Sequence, residues 1–322
     1  MDKIAVLGAG SLGTALAQLA TNNVEEVQLY ARREEVVNEI KETGYNSHYY
    51  PSVKLSPRIK PTSHLDEIDA DIIFICVPSS VVDEVLSELK GHIGDHSIFL
   101  STSKGIEYPS LRTMSRIIHD KTGLDPVVFS GPNFASEIIL NLPTITILAS
   151  KNLKNLEKVE KILKTEDFHV VKSEDVTGVE ICGVLKNVNA IAYGICEGMK
   201  INQNAKYALL NKGFNETKEI VTAMGGNHKT VNNYCGFGDI VLTSTSSESR
   251  NHTLGLLYGQ GIVVDEQSSG VLFEGKKSVL AVKKICETNN VTSLVTDFTY
   301  EVLNLKKSPK IAFRRLWENM IE

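Results

Sequence analysis

Short, nearly continuous apolar segments recur through the first half of the chain. They are rich in β-branched residues and lie at residues 3–8, 26–31, 71–78, 97–102 and 126–132. Apolar residues at consecutive positions, rather than at every second one, predict strands covered on both faces, as in a parallel sheet. Helical spacing lies between them, and further apolar segments at 144–150 and 168–173 flank a charged helix. This alternation predicts a doubly wound α/β domain.

The pattern changes after about Val176. Residues 178–198 are almost wholly apolar and contain no proline, which predicts a long helix buried on nearly all sides. The following segments are also helical in pattern and are interrupted by glycines at 225–227 and 236–239. We therefore expect two domains, residues 1–176 and residues 177–322, of which the second is mostly α-helical.

Composition narrows the classes of partner. The net charge of −5 and a pI near 6.0 give the whole chain no attraction for nucleic acid or anionic membranes, so an anionic substrate must be held by local charge. Five scattered cysteines without a C-x-x-C pair indicate reduced core thiols. No secretion signal precedes Ile4 and no apolar stretch approaches the span of a bilayer, so we expect a cytoplasmic protein without an integral membrane segment.

Three glycines follow the first predicted strand in the segment GAGSLG. Gly8 permits a tight turn, Gly10 a close approach of backbone to a diphosphate, and Gly13 close packing of helix on strand. Ser11 and Leu12 complete this segment, which opens a helix whose free N–H groups favour an anion. This context indicates a Rossmann-type dinucleotide site; the alternative is a glycine turn kept for packing.

The end of the second predicted strand bears on the choice of dinucleotide. Tyr30, Arg32 and Arg33 stand where an acid would accept a hydrogen bond from the ribose 2′-hydroxyl of NAD. Two guanidinium groups suit a 2′-phosphate instead, which favours NADP over NAD. The alternative is that both arginines are solvated surface charges beside Glu34 and Glu35.

One lysine in the apolar helix is a candidate proton donor. Lys186 lies where a charge is costly without a partner, and desolvation would lower its pKa toward the range of an acid–base catalyst. Asp239, the lone acid of segment 236–245, could hold its ammonium group. The alternative is a lysine that reaches solvent at a helix edge.

A candidate anion site follows Asp239. Ser249, Arg250 and Asn251 precede a predicted helix, and an arginine with backbone N–H groups at a helix start can grip a phosphate. The alternative is a serine cap beside a surface arginine.

Together these motifs carry a resemblance to a known family. In order they read GAGSLGTALA, VPSSVV, SKGIE, GPNFASE, GVEICGVLKNVNAIAYGI, GFGDIVLT, SRNHTLG and, less closely, LFEGKKSV. The chain resembles the NAD(P)-dependent sn-glycerol-3-phosphate dehydrogenases. The resemblance implies a Rossmann-type domain followed by an all-helical domain, with the active site between them. It also implies reversible reduction of dihydroxyacetone phosphate to sn-glycerol 3-phosphate, which feeds glycerophospholipid synthesis.

The resemblance also implies roles for individual residues. Lys186 would be the general acid and Asp239 would position it. Lys104 and Asn187 would hold the substrate, and Arg250 and Asn251 would bind its phosphate with Thr243 nearby. The cofactor-binding residues implied are Gly8, Gly10, Ser11, Leu12, Gly13, Arg32, Arg33, Pro78, Lys104, Ala135, Arg250 and Glu274. No metal is expected, and a homodimer is the expected assembly.

Four positions depart from the family pattern. Asn133, Ser136, Tyr234 and Lys276 replace residue types usual in bacterial members or in the family as a whole. They leave open a reductase of another phosphorylated ketone or of a keto acid. A non-catalytic NAD(P) sensor is the alternative from another class, although a sensor has no need of a buried lysine–acid pair.

Overall fold

A computed structural model of the chain describes residues 3–89, 91, 93–264 and 273–321. The chain forms two compact units. Unit 1 comprises Met1–Ser103 and Thr113–Val176, and unit 2 comprises Lys104–Arg112 and Thr177–Glu322. Lys104–Arg112, which lies within the first half of the sequence, thus packs with the second unit. Leu272 of the LFEGKKSV segment lies outside the described residues.

Unit 1 is built on an eight-stranded sheet in the order β3-β2-β1-β4-β5-β6-β7-β8. Its strands are β1 (Ile4–Leu7), β2 (Val27–Tyr30), β3 (Ile59–Thr62), β4 (Ile72–Ile75), β5 (Ile98–Ser101), β6 (Val127–Ser130), β7 (Thr144–Ala149) and β8 (Phe168–Ser173). The predicted Rossmann-type fold and all seven predicted strands are confirmed. The sequence pattern did not predict β3, the strand at one edge of the sheet, because it contains Pro61 and proline weakens a strand pattern.

The sheet is covered on both faces, as its continuous apolar strands predict. In β1, Ile4 and Val6 belong to one core cluster, whereas Ala5 and Leu7 belong to another. All strand pairs are parallel except β6 and β7, which run antiparallel. Leu7 of β1 is in register with Tyr30 of β2 and with Ile75 of β4, so the carboxyl ends of these three strands lie at one edge. The covering helices are α1 (Ser11–Ala20), α2 (Glu34–Thr43), α3 (Val82–Glu88), α4 (Met114–Thr122), α5 (Ala135–Ile139) and α6 (Leu153–Leu163).

Unit 2 is helical in the part of the chain that the structure describes. Its helices are α7 (Val176–Gly198, whose first residue belongs to unit 1), α8 (Gln203–Ala223), α9 (Asp239–Thr245), α10 (Arg250–Gly259), α11 (Glu274–Asn289), α12 (Leu294–Leu303) and α13 (Pro309–Asn319). A π-helical turn, Tyr234–Gly238, leads directly into α9. The all-α second domain predicted from the sequence is confirmed.

Helix α7 corrects one expectation. Its 23 residues are long and apolar enough to cross a membrane by length and composition, so the statement that no apolar stretch approaches that span is wrong. However, 89% of its most apolar window is buried inside the protein. Burial against other helices explains the apolar composition, so α7 is a core helix.

Glycines bring α7 and α10 into direct backbone contact. A Cβ atom built on Gly194 would lie 2.2 Å from the His252 carbonyl oxygen, and one on Gly255 would lie 2.1 Å from the Ile191 carbonyl oxygen. Gly198 and Gly259 continue the same contact one turn further along each helix. Because no side chain separates the two backbones, the start of α10 is held at a fixed place against the helix that carries Lys186.

Candidate active site

In unit 1, the glycine segment forms a tight turn between β1 and α1. Gly8 has a φ of +113°, and a Cβ there would lie 2.7 Å from the Cys76 carbonyl oxygen. A Cβ on Gly13 would lie 1.9 Å from the Gly8 carbonyl oxygen. Only glycine fits at these two positions, since the first needs a left-handed backbone and the second a direct contact between backbones.

The same turn offers space and donors for an anion. A Cβ on Gly10 would meet nothing within 4 Å, so the backbone there borders open space. Gly10 is the N-cap of α1 without a side-chain cap, and the first turn of this helix contains no acid. N–H groups at the start of α1, including those of Ser11 and Leu12, therefore point to a site that the helix dipole makes favourable for a diphosphate. A dinucleotide fits this arrangement.

Two arginines follow β2 at the sheet edge that carries this turn. The Gly8 N–H donates to the Tyr30 carbonyl oxygen at 3.0 Å, which joins the turn to the end of β2. Arg32 and Arg33 come next and are exposed, and they make no ion pair with the part of the chain that the structure describes. Glu34 and Glu35 lie in the first turn of α2.

Two more predicted cofactor residues lie in unit 1. Pro78 follows β4, whose carboxyl end shares this edge, and is exposed. Ala135 is the first residue of α5, which packs against α1, and both Ala135 and Leu12 contact the same core cluster. Unit 1 therefore holds nine of the predicted cofactor residues: Gly8, Gly10, Ser11, Leu12, Gly13, Arg32, Arg33, Pro78 and Ala135.

In unit 2, two lysines share one buried carboxylate. Lys186 Nζ lies 2.8 Å from Asp239 Oδ1, and Lys104 Nζ lies 2.7 Å from Asp239 Oδ2. The lysine side chains are 14% and 15% exposed, whereas Asp239 is 1% exposed. Two cations on one anion leave this cluster with a net positive charge, and the small exposure leaves the two ammonium groups access to a ligand.

Thr243 is part of the same cluster. Lys186 Nζ donates to Thr243 Oγ1 at 3.1 Å, and this hydroxyl donates to Asp239 Oδ1 at 2.9 Å. Asp239 and Thr243 are four residues apart on α9 and therefore share one face of that helix. The Lys186 ammonium is thus held by two acceptors, and its third N–H remains for a further partner.

The cluster shifts the proton affinities of its members. Burial lowers the pKa of Lys186 to about 8, although the Asp239 carboxylate opposes this shift and the Lys104 ammonium adds to it. Burial alone would raise the pKa of Asp239, but the two ammonium groups hold it below its ordinary value. Asp239 therefore stays ionised near neutral pH, while Lys186 can release a proton at mildly alkaline pH. Such a lysine can act as a general acid.

The start of α10 carries the predicted phosphate group ligands. The Ser249 hydroxyl accepts from the His252 N–H at 3.2 Å and caps this helix. Arg250 follows it, is exposed, and makes no hydrogen bond or ion pair within the described ranges. The Asn251 Oδ1 atom is buried and has no hydrogen-bond partner in the described structure, and it lies against Gly275, beside Glu274 of α11.

Asn187, next to Lys186 on α7, is 4% exposed, and no hydrogen bond of its side chain is found among the described residues. The structure thus gathers Lys104, Lys186, Asp239 and Thr243 into one cluster and places Asn251 against Gly275, the residue after Glu274. It does not give Arg250 a direct bond to that cluster. Thr243 bonds to Lys186 and Asp239, and its predicted place near the phosphate ligands stays a prediction.

Sequence reasoning missed two features of this site. It did not pair Lys104 with Asp239, and no local pattern could, because these residues are 135 positions apart. It also missed the link between Asp239 and Thr243, for which the four-residue spacing on a predicted helix was an available signal.

Comparison with known proteins covers nearly the whole chain. Residues 3–156 match the family model for the NAD-dependent glycerol-3-phosphate dehydrogenase N-terminus, and residues 175–314 match that for its C-terminus. A glycerol-3-phosphate dehydrogenase (NAD(P)+) of Clostridium botulinum is 34% identical over 98% of this chain and 97% of its own. One of Bacillus subtilis is 37% identical over 94% and 90%. The crystal structure of glycerol-3-phosphate dehydrogenase (gpsA) from Coxiella burnetii superposes with a TM-score of 0.92 at 32% identity, over 99% of both chains.

Proposed function

This chain belongs to the NAD-dependent glycerol-3-phosphate dehydrogenase family, and we propose that it reduces dihydroxyacetone phosphate reversibly to sn-glycerol 3-phosphate with NADPH or NADH. The observation that carries the proposal is the Lys186 ammonium, buried against Asp239 with a pKa of about 8. The product is the phosphorylated glycerol from which glycerophospholipids are built. Residues 1–176 would bind the dinucleotide, and residues 177–322 together with Lys104 would bind and protonate the substrate.

The reaction needs a hydride at C2 of the ketone and a proton on its oxygen. When bound, the reduced nicotinamide supplies the hydride. Lys186 Nζ donates its free N–H to the carbonyl oxygen and then transfers that proton to the developing alkoxide. Asp239 and Thr243 hold the ammonium in place for this transfer, and the positive charge of Lys104 stabilises the oxyanion.

The remaining substrate groups need their own ligands. The Arg250 guanidinium group makes no hydrogen bond or ion pair with the described residues and lies at the start of α10, whose N–H groups favour an anion. This supports its binding of the substrate phosphate. The buried Oδ1 atom of Asn251, which has no hydrogen-bond partner among the described residues, supports a role beside it, and Asn187 would orient the substrate next to Lys186. Phosphate binding far from the reacting carbon then helps to orient that carbon.

The first experiment is oxidation of NADPH and of NADH by the purified protein with dihydroxyacetone phosphate. Rapid turnover with this ketone is the expected result. Turnover with another phosphorylated ketone or a keto acid alone would replace the substrate and keep the reaction class. Binding of NADPH without turnover of any ketone would favour a non-catalytic sensor, which the Lys186–Asp239 pair argues against.

The two arginines after β2 support a preference for NADP. Replacing both, as R32S/R33S, is expected to raise the KM for NADPH by about 10- to 100-fold, because a 2′-phosphate would lose its charge-assisted hydrogen bonds. The KM for NADH should change little. K41S, which removes an exposed lysine from the far end of α2, serves as the control. Equal changes for both cofactors would show that the arginines do not read the 2′-phosphate.

The pKa of Lys186 predicts opposite pH dependences for the two directions. Reduction needs the protonated ammonium, so its kcat/KM is expected to fall as pH rises through about 8. Oxidation of glycerol 3-phosphate needs the neutral amine, so its kcat/KM should rise through the same pH. The measurement is a pair of pH profiles of kcat/KM between about pH 6 and 10. Profiles that bend the same way would exclude Lys186 as the titrating acid.

We also propose a cytoplasmic homodimer. The five cysteines are free thiols, which supports a reducing compartment. Phe237 and Tyr207 of unit 2 are 56% and 54% exposed, and Phe237 packs edge-on against Phe214 at 5.7 Å between ring centroids. Exposed aromatic side chains of this kind support burial against a second subunit. Sedimentation velocity of the purified chain tests the dimer directly.

A further inference from the structure

The C-terminal segment carries a charge opposite to that of the whole protein. Residues 305–321 contain five basic residues and one acid, although the chain as a whole carries −5. The basic residues are Lys306, Lys307, Lys310, Arg314 and Arg315. Glu301 pairs with Lys307 and Arg315. Lys306, Lys310 and Arg314 form no ion pair with any described residue, so their charge faces solvent.

The outward side of α13 also exposes large apolar side chains. Ile311 is 70% exposed and Trp317 is 46% exposed, whereas Ala312 and Leu316 on the opposite side are buried. At 100° per residue, Lys310 and Arg314 fall on the same outward side as Ile311 and Trp317. Ile321, 95% exposed, follows just beyond the helix. We call this set, Lys310, Ile311, Arg314, Trp317 and Ile321, the C-terminal face.

A groove runs beside the C-terminal face. It has a volume of about 320 Å³ and is lined by Met199, Ile201, Phe313 and Trp317, with Lys310 and Arg314 as its two cations. Lys200, between two lining residues, is exposed as well. Apolar walls with cations at the edge suit a partner that presents hydrocarbon and negative charge together.

We propose that the C-terminal face docks on the surface of an anionic lipid bilayer. Aliphatic side chains and a tryptophan on one side of a helix, flanked by lysine and arginine, are what an interfacial helix needs to bury apolar groups below the headgroups. The cations then lie at the level of lipid phosphates, where each strengthens binding by about fivefold. The docking is peripheral. The local positive charge of this face attracts an anionic membrane although the net charge of the chain is negative.

Charge argues against the other occupants of this face. The outward side of α13 carries two cations, Lys310 and Arg314, against one acid, Glu318, so a symmetric contact with a second copy would bring two surfaces of net positive charge together. A nucleic acid would satisfy the cations but would leave Ile311 and Ile321 in water. An anionic bilayer satisfies both kinds of side chain.

The sole tryptophan of the chain, Trp317, reports on this face directly. The full-length protein is titrated with vesicles of phosphatidylcholine alone and of phosphatidylcholine with phosphatidylglycerol, at low salt and at about 1 M salt, where the Debye length is about 3 Å. We expect a blue shift of the Trp317 emission, and its quenching by brominated lipid, with the anionic vesicles at low salt. Unchanged emission with every vesicle would overturn the proposal.

Charge reversal separates the face from general charge effects. K310E/R314E is expected to weaken binding to anionic vesicles by at least about tenfold, whereas K151E/K154E changes the same charge at exposed lysines of unit 1 and should bind normally. Equal binding of the two variants would overturn the proposal. If the wild type does not bind vesicles and K310E/R314E changes the sedimenting mass, the face belongs to a contact with a second copy and the proposal is overturned. Binding of duplex DNA in preference to vesicles would also overturn it. Ketone reduction in solution should be the same in wild type and both variants, so the proposed activity is tested separately.

Discussion

A Lys186→Met variant is expected to lose about 10³-fold or more in kcat for ketone reduction while binding NADPH as tightly as the wild type. The variant removes the proposed proton donor, whose contribution is typically 10²- to 10⁴-fold, and keeps a side chain of similar length. The fold should persist, because Asp239 still pairs with Lys104 and still accepts from Thr243. Turnover and NADPH fluorescence titration measure the two effects separately.

A second buried lysine provides the matched control. Lys206 has an 8% exposed side chain and pairs with Glu197, but it lies outside the Asp239 cluster. K206M should therefore keep a kcat close to that of the wild type even if it lowers stability. A similar loss in both variants would mean that removal of any buried lysine disturbs the enzyme, and activity retained in K186M would assign the proton to another group.

Asp239→Asn is expected to lower the free energy of unfolding by about 3–5 kcal/mol. The substitution keeps the shape of the side chain but removes the carboxylate that two largely buried ammonium groups share. Loss of that attraction should also lower the pKa of Lys186 further, so the fall in reduction rate should begin at a lower pH than in the wild type. Urea unfolding and the pH profile of kcat/KM measure the two consequences.

A partly exposed ion pair provides the comparison for the stability of the Asp239 cluster. Asp297, 42% exposed, pairs with Lys283, and D297N is expected to change the free energy of unfolding by no more than about 1 kcal/mol. A D239N variant as stable as D297N would show that the buried Asp239 carboxylate contributes no more to stability than a partly exposed one. An unchanged pH profile in a folded D239N variant would show that Asp239 does not tune Lys186.

Much of the fold follows from local pattern. Residues 4–7 and 72–75 are apolar at every position because β1 and β4 lie inside a sheet with cores on both faces, so the apolar composition of each strand indicates its central place in the sheet. The edge strand β3 gives no such signal, since edge positions tolerate Pro61 and polar residues. The antiparallel pairing of β6 with β7 also has no local signal, because direction depends on the route of the connection.

Some glycines have a role that the sequence predicts, whereas others have a role that depends on tertiary packing. The spacing of Gly8, Gly10 and Gly13 and their position after a strand predict the turn, because a positive φ or a close backbone contact requires glycine and is therefore visible in the residue type. Gly194 and Gly255 also need to be glycine, but their reason lies in another helix. The four-residue repeats to Gly198 and Gly259 are visible in the sequence, yet nothing local says that the two repeats face each other.

By itself, the sequence determined the class of the fold, the burial of α7 and the kinds of chemistry available, because these depend on periodicity and on residue type within one element. Only the tertiary structure decided which charges meet. Lys186 and Asp239 are 53 residues apart, and Lys104 reaches Asp239 from 135 residues away because Lys104–Arg112 packs with unit 2. The energy of such a cluster comes from burial and from distances of about 3 Å between charges, and neither quantity exists until the helices and this segment have packed together.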